Sequence, residues 1–187
     1  MHLSELRSDC WIIDNFLTES EIEELTNHIQ KIEWVMFDDV QASNFKQPSS
    51  KGFHVLEENF ETTEKKYLKK ILDLNFSGMP KIEKFDRVLY NCFEKHDTPL
   101  PHTDSLTEGC WTFIIYPNTK WEPEWGGETK VMFSPNRMTE EDVQRMDLVS
   151  PLPGRLLIIP GDVLHSGSGT SVDTPRYSMA YQFWNNK

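Results

Sequence analysis

Cysteine is scarce in this sequence, and none of it is paired: Cys10, Cys92 and Cys110 stand far apart with no C-x-x-C spacing. That argues against a disulfide framework and a cysteine zinc site, and fits a reducing compartment. Long apolar runs are missing as well. The most apolar stretches, such as "CWTFIIY" from Cys110 to Tyr116, cover about a third of the ~20 residues a bilayer span requires. The first twenty residues carry acids and no apolar run of signal-peptide length, so a soluble, cytoplasmic protein is expected. Positive charge is in deficit too. Against 30 Asp and Glu stand 19 Lys and Arg, a net charge of −11 that repels nucleic-acid phosphates and anionic headgroups. The one basic cluster, Lys65, Lys66, Lys69 and Lys70, reads as the solvated face of a helix. No internal repeat or low-complexity segment breaks the chain. Its 187 residues, 37% of them apolar, suffice for one domain with a substantial core.

What is present falls into two textures, a helical lead-in over residues 1–80 and a strand-rich part over 81–187. In the first, "WIIDNFL" (Trp11 to Leu17) reads as a short strand entering a helix. Thr18 and Glu21 fit a capping box, and Ile22, Leu25, Ile29 and Ile32 then recur at helical spacing. His28 lies beside that stripe as a surface or packing residue. Residues 38–54 have no period and collect Ser, Asn, Gln, Pro and Gly, so they read as a long loop that could serve as a lid. A second helix is expected over about Thr63 to Asn75, burying Tyr67, Leu68, Ile71 and Leu72. In the second part, "KIEKFDRVLYNCF", "CWTFIIYP", "GETKVMFS", "GRLLIIPG" and "RYSMAYQFW" are short β-branched and aromatic runs bounded by Gly and Pro. Such strands without long helices between them favour an antiparallel sandwich or jelly roll. Asn136 to Asp147 reads as an exposed helical excursion.

Within that β-rich part lies "LPHTDS" (Leu100 to Ser105), with a histidine and an aspartate two residues apart. In extended backbone these two side chains share a face, so His102 and Asp104 can reach one point. They could hold a metal, form a proton relay, or make a surface hydrogen bond. His165 follows a Pro-Gly turn at a strand end, and would complete a two-histidine, one-carboxylate set that caps one face of an octahedral ferrous ion. Eleven residues on stands Arg176, whose fork suits a carboxylate in a way that lysine does not.

With "HTD" at 102–104, "WGGET" at 125–129, His165 and "RYS" at 176–178, in that order, the chain resembles the iron(II)- and 2-oxoglutarate-dependent dioxygenases, prolyl-4-hydroxylase-like branch. More faintly, "IDNFLTESEIEEL" (Ile13 to Leu25) looks like the helical lead-in of the same branch. The resemblance implies a double-stranded β-helix (a cupin-like jelly roll) with N-terminal flanking helices, forming one catalytic domain over 1–187. It implies His102, Asp104 and His165 as iron ligands and Arg176 as partner of the 2-oxoglutarate distal carboxylate. Tyr116 would bond the same carboxylate, and Tyr90 and Ser178 would line the cofactor pocket. Tyr90 and Tyr116 can equally be core aromatics. Near the "GGE" turn, Trp121 and Trp125 read as a hydrophobic rim, while Gly126 and Gly127 read as backbone positions that forbid a β-carbon. The implied activity is hydroxylation with release of succinate and CO2, using dioxygen, with ascorbate as reductant. Asp104 favours hydroxylation, because family members that halogenate lack this carboxylate. A peptidyl proline is the leading substrate, followed by a free amino acid or other small metabolite, then a nucleobase to demethylate. A non-catalytic metal- or sugar-binding jelly roll is the reading from another class. Residues 38–54 and 118–125 are expected to flank the open side of the site, with no nucleic-acid or membrane partner.

Overall fold

The computed structural model describes residues 1–7, 9–36, 51–56, 59–135 and 142–184. Its elements are β1 (His2–Arg7), β2 (Cys10–Asp14), α1 (Glu19–Ile29), β3 (Val35–Met36), β4 (Lys51–Leu56), α2 (Thr62–Leu72), β5 (Lys84–Phe93), β6 (Cys110–Ile115), β7 (Thr129–Phe133), β8 (Arg145–Val149), β9 (Leu156–Pro160), β10 (Leu164–Ser166) and β11 (Arg176–Trp184). Eight strands form one sheet in the order β1-β2-β9-β6-β11-β5-β4-β3, and β10-β7-β8 form a second, every pairing being antiparallel. This is the double-stranded β-helix expected. No helix among the described residues is long and apolar enough to cross a membrane.

Strand alternation sorts the large sheet into two faces. Val88, Tyr90, Phe113, Ile115, Met179, Tyr181 and Phe183 point outward and pack with Ile22, Leu25 and Ile29 of α1 and Tyr67 and Ile71 of α2. Ile114, Tyr116, Leu157, Ile159 and Ala180 point inward against Val131, Phe133 and Val149 of the small sheet. The helices therefore back the large sheet, and the space between the sheets is left for a site. The capping box is present as read: the Thr18 N–H donates to Glu21 Oε2 at 2.8 Å and the Glu21 N–H to Thr18 Oγ1 at 3.3 Å. Glu64 ties the helices to the sheet. Only 2% exposed, its carboxylate accepts from the Tyr90 hydroxyl at 2.6 Å and the Glu61 N–H at 3.0 Å. Glu64→Ala should lower the unfolding free energy by about 2–4 kcal/mol, since it strands a buried hydroxyl and leaves a cavity. Urea titration measures it, and a loss under ~0.5 kcal/mol would make the bond incidental.

Several expectations need correction. Beside the short strand expected from Trp11, which is β2, the lead-in also holds β1, β3 and β4, all in the large sheet. Residues 51–54 belong to β4 and not to a loop, while 38–50, the rest of the expected lid, lie outside the described residues. Of the expected excursion over 136–147, residues 136–141 lie outside them too, and Arg145–Val149 is a strand paired along its whole length with β7. α2 ends at Leu72, which is 51% exposed and not buried.

Candidate active site

Backbone pairing builds the site. His102 and His165 exchange two backbone hydrogen bonds, each 2.9 Å, which sets their α-carbons directly opposite one another. Asp104 is held two residues on, its N–H donating to the Gly161 carbonyl at 2.8 Å. The ligand-capable atoms of His102, Asp104 and His165 then all lie within 4.8 Å of one another. His102 Nε2 is 3.8 Å from Asp104 Oδ1, and His165 Nε2 is 3.6 Å from Oδ2. On the far side of each ring, Nδ1 faces a backbone carbonyl two residues earlier, Leu100 at 3.4 Å and Val163 at 2.9 Å. A donor at Nδ1 leaves the Nε2 lone pair pointing inward, the tautomer a metal needs. Burial, with the neighbouring His165 ring, pushes the His102 pKa below its ordinary value, which also favours the neutral form. The Thr112 hydroxyl donates to Asp104 Oδ2 at 2.5 Å and orients that carboxylate. Among the described residues no cysteine and no fourth ligand joins the group, so a bound ion would keep open positions.

Deeper between the sheets lies Arg176, 2% exposed. Its Nη2 donates to Thr129 Oγ1 at 2.7 Å, which in turn accepts from the Tyr116 hydroxyl at 2.8 Å. Nε and Nη1 are buried without a partner. Two orphaned donors on a desolvated cation carry a large penalty unless an anion completes them. Burial also drives the Arg176 pKa down and the Tyr116 pKa up. The guanidinium lies 4.6 Å from the Phe93 ring centre and 5.3 Å from that of Tyr116. Two glycines make room for it. A β-carbon on Gly167 would sit 2.8 Å from Nη1, and Gly127, at φ +85°, would bring one within 3.7 Å of the Arg176 stem. A small acid spanning the metal-ligand group and Arg176 fits these donors.

Tyr90 is not in this pocket. It stands opposite Met179 in register, hence on the helix-packed face, with its hydroxyl on Glu64. Burial and the Glu64 carboxylate raise its pKa far above the ordinary value, so it stays protonated. Its neighbour Asn91 takes the inward place, donating from Nδ2 to Ser178 Oγ at 3.2 Å, and Ser178 shares the face of Arg176. The 118–125 segment is tied to the Arg176 end of β11: Asn118 bonds the Pro175 carbonyl and the Tyr177 N–H, each at 2.8 Å. Within that segment the Trp121 indole N–H donates to the Gly126 carbonyl at 2.8 Å. Gly126 and Gly127 do adopt positive φ, +68° and +85°. Thr112, Asn91, Thr129 and Gly167 were missed. Thr129 alone was inside a motif, as the last letter of "WGGET".

Two histidines and a carboxylate at the mouth of a jelly roll, with a buried arginine below, define a non-haem metal oxygenase that uses a keto-acid cosubstrate. Residues 88–184 match the family model described as the 2OG-Fe(II) oxygenase superfamily. The chain belongs to this superfamily, whose enzymes use iron(II), 2-oxoglutarate and dioxygen. Among solved structures it is similar to a Pseudomonas putida prolyl-4-hydroxylase, with a TM-score of 0.70 at 14% identity over 96% of this chain and 94% of that one. A Trichoplax adhaerens prolyl hydroxylase, in complex with a peptide fragment of the hypoxia inducible factor oxygen degradation domain, gives 0.69 at 18% over 95% and 84%. HygX from Streptomyces hygroscopicus, with nickel and 2-oxoglutarate bound, gives 0.67 at 10% over 95% and 83%. A sequence search of curated proteins finds no match.

Proposed function

We propose that this protein is a 2-oxoglutarate-dependent hydroxylase of the prolyl-4-hydroxylase type, acting on a peptidyl proline. The observation that carries the cosubstrate assignment is the pair of orphaned donors on Arg176, buried below a three-ligand group with open positions. In this reading His102, Asp104 and His165 hold iron(II), each histidine through Nε2. Asp104 lowers the charge of the site, and Thr112 stops its carboxylate from rotating away. Arg176 grips the distal carboxylate of 2-oxoglutarate through Nε and Nη1, while Thr129 and Tyr116 hold the fork in place. The Phe93 and Tyr116 rings against the guanidinium keep water from that end. When bound, iron with 2-oxoglutarate and dioxygen supplies the oxidising power, giving succinate, CO2 and a hydroxylated substrate. Ascorbate serves as reductant. Cys10, Cys92 and Cys110 are all buried thiols, which supports a cytoplasmic setting.

The peptidyl choice draws support from the prolyl hydroxylase likenesses and from the net charge of −11, which disfavours nucleic acid. Incubation with ferrous iron, 2-oxoglutarate and ascorbate should yield succinate, and a proline-containing peptide should raise the rate and gain the mass of one oxygen atom. Hydroxylation of a free amino acid while peptides stay inert would move the substrate class. No succinate with any peptide, amino acid or nucleic acid would refute the enzyme reading.

A further inference from the structure

At the end of the large sheet's inner face away from Arg176, a second arginine has no role in the chemistry described. Register places it. Ile159 of β9, Thr112 of β6, Gln182 of β11 and Arg87 of β5 stand directly opposite one another across four strands. Residues paired in this way project to one face, and Thr112 identifies that face because its hydroxyl holds Asp104. Arg87 thus originates two strands, roughly 10 Å, from Thr112. Arg176 lies six positions down β11 from Gln182, so the two arginines stand toward opposite ends of this face.

Three observations suit Arg87 to binding. Its Nε donates to Gln182 Oε1 at 2.7 Å, and Gln182 is only 3% exposed, so the stem is anchored. A register shift next to this pair sets Phe183 opposite Phe85 and leaves Asp86 without a partner on β11. Such bulges re-aim side chains at barrel rims. Solvent reaches the place: Arg87, Leu89 and Asn91, successive inward residues of β5, are all only half-buried. Finally, the end of the fork is spare. Gln182 and the Asp86 carboxylate, 3.6 Å away, both engage Nε, and Nη1 and Nη2 have no partner among the described residues. A planar, charged donor pair at a position that solvent reaches matches a carboxylate.

We infer that Arg87 is a substrate-binding residue that receives a carboxylate, so the substrate of this site carries one beside the carbon to be hydroxylated. The inference rests on the oxygenase reading of the site. The carboxylate belongs either to a free amino acid or to an acidic residue next to the proline of a peptide. The test uses the protein loaded with Mn(II) and 2-oxoglutarate without oxygen, and measures binding of two matched pairs by calorimetry. These are L-proline against L-prolinamide, and blocked Glu-Pro-Gly against blocked Gln-Pro-Gly. One acid should bind at least tenfold more tightly than its amide, and which pair does so identifies the source. Arg87→Met should erase that preference, and Arg87→Lys, which keeps the charge without the fork, should retain part of it. Melting temperature and Mn(II) affinity report whether each variant is folded. Equal binding of acid and amide in both pairs, no binding of either acid, or a preference that survives in Arg87→Met would overturn the assignment. Failure of the oxygenase reading looks different, because the wild type would then not bind 2-oxoglutarate at all.

Discussion

Arg176→Ala should weaken 2-oxoglutarate binding by roughly 30- to several-thousand-fold while leaving metal affinity nearly unchanged. The range follows from about 2–5 kcal/mol for truncating one partner of a buried charge pair. The wild-type guanidinium is desolvated and keeps Nε and Nη1 for a ligand, so little of that energy is recovered by other contacts. Metal affinity depends on His102, Asp104 and His165 and gives the contrast. Tyr116→Phe should do less, close to one neutral hydrogen bond of about 0.5–1.5 kcal/mol, because Tyr116 acts through Thr129. Titration of Mn(II)-loaded protein with 2-oxoglutarate separates the cases. An unchanged affinity in Arg176→Ala would remove Arg176 from the cosubstrate site.

The second large effect concerns the metal ligands. His102→Ala and Asp104→Ala should each reduce succinate formation to background, since a three-ligand site has no spare donor among the described residues. Both variants should stay folded. Neither side chain belongs to the apolar clusters on either side of the large sheet, and the 102–165 pairing is made by backbone that alanine retains. Turnover assayed beside thermal melting checks both halves. A variant that melts like the wild type and keeps full turnover would show that the ligand set lies elsewhere.

How much of this was legible depended on whether the signal was local. The capping box at Thr18 and the stripe through Ile22, Leu25 and Ile29 are contained within one helix, and they form as read. The metal-ligand trio was legible because an H-x-D pair in extended backbone needs only a short stretch to converge. β1 was not legible. "HLSELR" is exposed along most of its length, so no alternating apolar face announces it, and pairing with β2 makes it a strand. β8 failed for a related reason: the stretch around it looks helical, and the edge of β7 overrides that preference. Tyr90 was misassigned by one residue. In a strand a single step exchanges the two faces, and it is Asn91 that looks inward. Arg87 left no motif at all, because its significance comes from a bulge and from Gln182, ninety-five positions away.

The bridge between His102 and His165 has a consequence for assembly. The two imidazoles are brought together by backbone hydrogen bonds between segments 63 residues apart in the chain. Neither segment alone carries the full ligand set, so an unfolded or half-closed chain offers the ion little to hold. Metal affinity is therefore coupled to closure of the barrel, and loading acts as a latch on it. For an ion that binds only the closed form, a free concentration a hundred times its dissociation constant contributes about 2.7 kcal/mol. In a cell, iron supply would then help determine how long each molecule survives, as well as whether it turns over.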